Sequence, residues 1–231
     1  MSATLGSVRG VTTETRTTPY FAGKVVGFIA LLAGALWFVW EYPMHYILHY
    51  NQATFTDPDA GAANYWRERL WLISHFTGGI LALLVGPWQF WTGFRVRYAR
   101  LHRLTGKIFL IGVLLGTIGA LRLIATTTFG WAFGASIASL ALAWVVTTAV
   151  AYYAILRGQV ETHKLWMVRA YVVTFAFVTF RALHDYGPVS RLQPEGDRAI
   201  TVGWACWAIP LLLTIAIQQI WALRVSRTAR P

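Results

Sequence analysis

Cysteine is almost missing from this chain: Cys206 is the only one in 231 residues. A lone thiol forms no intrachain disulfide and builds no thiolate metal cluster. Acid is scarce as well, with 9 Asp and Glu against 20 Lys and Arg, and charged residues of both signs make up 13% of the sequence. The apolar stretches contain no chain of carboxylates of the kind that proton pumps use. A Gly-rich phosphate loop and a Ser/His/Asp grouping in a plausible order are also lacking, so NTPase and hydrolase chemistry find no support. Nothing here reads as a soluble catalytic domain.

What the chain does have is hydrophobicity, at 56% of residues, and aromatic rings, at 15%. Six stretches are long and apolar enough to cross a bilayer: about 22–42, 70–93, 106–126, 132–156, 165–185 and 201–223. The expected fold is therefore an all-α integral membrane protein of six transmembrane helices, with spans two to five as the core bundle. A flexible arm over 1–20 precedes a transmembrane domain over 21–225, and a basic tail occupies 226–231. The first span, which follows no cleavage signature, reads as an anchor rather than a signal peptide.

The net charge of +11 would suggest nucleic acid in a soluble protein. Its placement points to lipid instead, and no nucleic-acid partner is expected. Arg95, Arg97, Arg100, Arg103 and Lys107 fill the connection between spans two and three, and Arg224, Arg227 and Arg230 the tail. The acids Glu41, Asp57, Asp59, Glu68, Asp185, Glu195 and Asp197 fall in or beside the alternate connections. This asymmetry predicts both termini inside, with anionic headgroups as partners of the basic loops.

Polar residues inside such spans are the functional candidates. In span five, His163, Met167, Ala170, Thr174, Phe177, Arg181 and His184 recur at helical spacing on one predicted face. Histidines at bilayer surfaces are also common interfacial residues, so this stripe supports two readings equally. In span two His75, Gly79, Ala82, Gly86, Gln89 and Gly93 share a face. Small residues of this kind allow close helix packing, and a flat macrocycle ligated by His75 would use the same groove. His102 heads a second glycine-lined face in span three, with Gly106, Gly112, Gly116 and Gly119. His45 and His49, at i and i+4, could hold a metal but have no evident third ligand. Arg122 reads as a snorkelling cation or the partner of an anion.

By topology His75 and His184 belong to the outer side, and His102 and His163 to the inner. Two imidazoles from separate helices at each surface suit b-type haem, one or two per chain, supporting transmembrane or quinone-linked electron transfer. Haem propionates would then pair with Arg181 outside and with Arg103, Lys164 or Arg169 inside. Met167 is an alternative ligand beside His163. The inner histidines, at the membrane edge, are equally placed as headgroup or quinone contacts, in which case only the outer pair ligates. The competing class is a non-redox membrane protein: an accessory subunit of a larger complex, or a small-molecule carrier whose glycines merely pack helices. Partner subunits or a homodimer are compatible with either.

Two blocks, GPWQFWTGFRVRYARLHRLTGKIF and HKLWMVRAYVVTFAFVTFR, resemble the bacterial membrane family catalogued as domain of unknown function 2306. The likeness extends over about 70–210. It implies a compact helical bundle in a bacterial inner membrane, laid out like the di-haem cytochromes b by analogy only. The resemblance also implies an acidic or amide residue in the last span, where Gln218 and Gln219 are nearest.

Overall fold

The computed structural model describes residues 19–51, 65–192 and 194–228. The arm up to residue 18, the acids Asp57 and Asp59 and the end of the basic tail lie outside the described residues. The chain runs as α1 (Pro19–Glu41), α2 (Pro43–Leu48), α3 (Arg69–Phe90), α4 (Thr92–Arg97), α5 (Ala99–Ala125), α6 (Gly130–Leu156), α7 (Val160–Thr174) and α8 (Ala176–Arg181). A π-helical turn, Ala182–Tyr186, and a 3₁₀ turn, Pro188–Arg191, lead to α9 (Glu195–Thr228). No strand occurs among the described residues. Six segments have the length and composition to cross a membrane: Val25–Leu48, Arg69–Phe90, Ala99–Ala125, Gly130–Leu156, Val160–Tyr186 and Glu195–Ser226. The first and last bury only 11% and 17% of their apolar windows inside the protein, whereas the four between bury 33% or 39%. Spans two to five are thus the core, and α1 and α9 flank it.

The helices outrun the apolar stretches read from the sequence at several ends. Helix α5 begins at Ala99 rather than 106, and α9 at Glu195 rather than 201. Arginine and lysine are good helix formers whose charged heads reach water while their stems stay on the helix, so charge does not terminate these spans. Span two is shorter than expected. It ends at Phe90, and extended Trp91 (ψ 110°) turns the chain into the short α4, which leaves Gly93 outside the long helix.

A glycine seam holds α3 against α5. A Cβ at Gly78 would strike the backbone of Gly116 and that of Gly112, and one at Gly119 would meet the Trp71 carbonyl and the His75 backbone. These positions admit no side chain because the two helices touch main chain to main chain. A Cβ at Gly116 would also meet the Cη2 and Cζ3 atoms of the Trp144 ring of α6, which packs against the seam there. The glycines of span three therefore serve helix packing.

Helices α6 and α7 form a tight hairpin. Gly158 has φ +71°, the left-handed region that glycine enters without steric cost. Gly158 N–H donates to Ile155 O (3.0 Å) and Gln159 N–H to Ala154 O (2.9 Å), so the last carbonyls of α6 find partners. The reversal brings His163 alongside Ala151.

Span five is not one continuous helix. The α-helix breaks at Phe175 (φ −70°, ψ −8°) and closes in the π turn. A π turn holds more residues than an α turn, so side chains beyond it leave the register of the stripe. This corrects the expectation that His163 through His184 share a single face.

Candidate functional site

A cavity of about 250 Å³ opens between α1, α3, α5, α6 and α8, at the end of the bundle that carries Tyr42 and Arg181. Its floor is aromatic. The Phe177 ring stands edge-on to both His75 and Trp144, with centroids 5.3 Å apart in each case. Trp144 is fixed from behind, because its Nε1–H donates to Thr174 Oγ1 at 2.8 Å in the buried core. Phe133, Phe180, Leu72 and Leu140 add apolar wall. The polar lining includes His75, Tyr42, Tyr46, Tyr65, Glu68, Arg181 and threonines 126 to 128.

His75 is placed by the seam. Gly119 lets its backbone approach α5, and its Nδ1 lies 3.0 Å from Gly116 O. A carbonyl only accepts, so Nδ1 carries the proton and Nε2 keeps its lone pair. The same register that faces Gly78 to Gly112 sets Glu68, just before α3, against Arg122 near the end of α5. Arg122 Nε donates to Glu68 Oε2 and its Nη2 to Oε1, both at 2.8 Å, in a fork-to-carboxylate pair. Those hydrogen bonds hold the Glu68 carboxyl below the usual carboxylate range, although burial acts in the opposite direction. Burial pushes the Tyr65 hydroxyl above its ordinary range, with the nearby Arg181 charge opposing the shift, so this phenol stays neutral.

The π turn gathers a second polar group. Asp185 Oδ2 accepts from the Tyr42 hydroxyl (2.5 Å), and Oδ1 accepts from His184 Nδ1–H (2.7 Å). The Arg181 guanidinium lies over the Tyr42 ring, 4.7 Å from its centroid. His184 itself stacks on Phe180, with ring planes 11° apart and centroids 5.5 Å apart. It is absent from the residues around the cavity, whereas His75 and Arg181 are present. The register slip at the π turn accounts for that separation. Drug-sized ligands occupy about 300–1,000 Å³. A haem held between His75 and His184 therefore does not fit this arrangement, since the space is too small and the second imidazole stays off its wall.

The other sequence-predicted residues fall as follows. Gly86 opens no groove, because a Cβ there would collide with the Tyr171 ring, whose hydroxyl donates to Leu83 O at 3.0 Å. Gln89 is buried and donates through Nε2 to Thr105 Oγ1. Gly79, in contrast, has nothing within 4 Å of the Cβ position. Met167 packs against the main core cluster. Arg169 is buried, donates from Nε to Gln218 Oε1 at 2.8 Å and lies over Trp166 at 4.4 Å. The amide expected in the last span is thus the partner of a buried arginine. Arg103 is exposed.

His102 and His163 lie within electrostatic reach of each other, with Arg95 and Arg103 also near His102. His163 Nδ1–H donates to Ala151 O at 2.8 Å, which leaves Nε2 its lone pair. His102 Nδ1 is buried with no hydrogen-bond partner. His45 and His49 are exposed, with ring centroids 5.0 Å apart. No group of three or more metal-ligating side chains occurs among the described residues.

Tyr42, Tyr65 and Trp144 are not singled out by the sequence, and Phe177 enters there only as a member of the span-five stripe. The signal for the ion pair was present: Glu68 and Arg122 are charges at the facing ends of two consecutive antiparallel spans. The tyrosines carried no comparable signal among so many interfacial aromatics.

No curated protein and no solved structure matches the chain. A family described as predicted membrane protein (DUF2306) matches it over residues 72–217, which takes in the floor of the cavity, the glycine seam and the histidines of spans two, three and five. On that match the chain belongs to this family of membrane proteins, to which no activity is assigned.

Proposed function

We propose that this protein binds a small, mainly apolar molecule in the half of the bilayer that holds Tyr42 and Arg181, and serves as a carrier or receptor for it. The observation behind this reading is the aromatic cavity of about 250 Å³ with its hydrogen-bonding groups at one end. Sites of this kind bury an apolar body and orient it with a few polar contacts. The volume suits a one- or two-ring body. A quinone head group belongs to that class, and its redox chemistry would link the site to electron transfer. The reduced, quinol form of such a ligand would donate a hydroxyl hydrogen to the Nε2 lone pair of His75, an acceptor placed within the apolar floor. Charge asymmetry favours this end of the bundle facing outward.

Ligand-induced thermal stabilisation of the detergent-purified protein tests the reading with a panel of one- and two-ring aromatic compounds, quinones included. Saturable stabilisation by at least one of them is expected. It should be lost in Ala141→Phe, a variant that fills the cavity from α6, provided that variant alone unfolds cooperatively. A panel that produces no stabilisation removes the proposal.

One observation favours a second reading, b-type haem at the opposite end of the bundle. There His102 presents a buried Nδ1 without a partner, and His163 has its Nε2 free. Electron transfer is the chemistry such a group would supply. A Soret band that shifts with dithionite and disappears in His102→Ala and in His163→Ala is the expected result, with His45→Ala leaving it intact. A well-folded, colourless protein ends this reading.

A further inference from the structure

We infer that the molecule taken by the cavity carries a carboxylate or a similar single acidic group, gripped by Arg181; this rests on the proposal that the cavity binds a small apolar molecule. The polar end holds two carboxylates and two guanidinium groups, and only Arg181 among the four forms no hydrogen bond to a described residue. Glu68 lines the cavity, but both its oxygens are held by the Arg122 fork at 2.8 Å, so that pair is closed. Asp185 is the carboxylate nearest Arg181, and each of its oxygens is engaged, one by the Tyr42 hydroxyl and the other by His184 Nδ1–H. Arg181 Nη1 stands 3.9 Å from Asp185 Oδ2, an ion pair outside hydrogen-bonding distance. Tyr65, whose hydroxyl burial keeps neutral, is a potential donor beside Arg181 and brings no compensating charge.

Arg181 therefore brings up to five N–H donors to a largely apolar chamber, with no hydrogen bond to any described residue. Its position is nevertheless fixed. The guanidinium rests on the Tyr42 ring at 4.7 Å, which presents its N–H edges rather than its face. Of its side-chain surface, 42% stays accessible, so those edges can be reached. A ketone or amide on the ligand would accept one or two of these hydrogen bonds without the charge assistance that an anion brings. A carboxylate accepts charge-assisted hydrogen bonds in the two-pronged geometry of the guanidinium. The ligand class is then a small aromatic or aliphatic monoacid, with its body against Phe177 and Trp144 and its head at Arg181.

Two probes with one ring system separate this inference from the proposal beneath it. 1-Naphthoate and the uncharged 1-naphthamide are titrated into the full-length protein in detergent by calorimetry, alongside Arg181→Gln and Arg181→Lys. Wild type should prefer the acid by about tenfold or more, the size expected of one charge-assisted hydrogen bond. Arg181→Gln should bring the acid-to-amide ratio to within about twofold, and Arg181→Lys, which keeps the charge and loses the fork, should fall between. Equal or tighter binding of the amide by wild type overturns the inference, as does a preference for the acid that survives in Arg181→Gln. If Arg181→Gln does not fold, the wild-type ratio alone decides. Failure of both probes to bind wild type removes the cavity reading itself.

Discussion

At the scale of single residues, two neighbouring glycines of α3 do opposite things. Gly78 sits where a methyl group would enter the backbone of α5, whereas Gly79 faces open space. Overpacking a close contact costs on the order of 1–3 kcal/mol. Replacing an unobstructed helical glycine with alanine gains up to about 1 kcal/mol. Gly78→Ala and Gly116→Ala should therefore lower the unfolding midpoint in detergent, while Gly79→Ala should hold or raise it. Equal midpoints for all three would mean the seam is not closed. Sequence spacing alone grouped Gly79 with Gly86 on a supposed cofactor face. Period counting assigns an angle round a helix but not the identity of the neighbour at that angle, and Tyr171 is what fills the space at Gly86.

At the scale of elements, the Glu68–Arg122 pair ties the start of α3 to the end of α5 beside the cavity. The Glu68 carboxyl titrates below its ordinary range because Arg122 stabilises its charged form. A group whose folded value lies below its unfolded one contributes fully above the unfolded value, and the contribution is lost as pH falls through the folded one. The unfolding midpoint should thus hold from about pH 7 down to about pH 5 and fall below about pH 4. Glu68→Gln should start from a lower midpoint at neutral pH and show a smaller acid-induced fall. Identical curves for the two proteins would show that the pair contributes nothing. The six spans and their central four were legible from hydropathy and from the small residues in them. The break at Phe175 was not, since neither glycine nor proline marks it, and Gly187 and Pro188 mark where span five ends but not the π geometry of its last turn. Both depend on packing around Thr174 and on the Asp185 network, which are tertiary facts. That is why His184 seemed to continue the line of Arg181 and instead stacks on Phe180.

At the scale of the whole molecule, the surface is largely apolar. Trp131, Leu142, Leu156, Leu212 and Trp221 are among many large side chains left exposed, as suits a chain solvated by lipid rather than by water. Among the described residues, the Glu68–Arg122 and Asp185 groups gather at one end, and His102 and His163 come together at the other. The flanking spans contribute unequally to the first. Tyr42 and Phe38 bring α1 to the cavity, while α9 does not line it.

The backbone contact between α3 and α5 has a mechanical consequence. Two rods joined at glycine, with a tryptophan packed against the joint, behave as one stiff post that neither slides nor splays without losing many contacts together. The wall carrying Phe177 and Arg181 is of a different make: six residues suspended between a break and a loosened coil. An adjustment of the chamber to a guest would fall on that interrupted segment before it reached the post behind it.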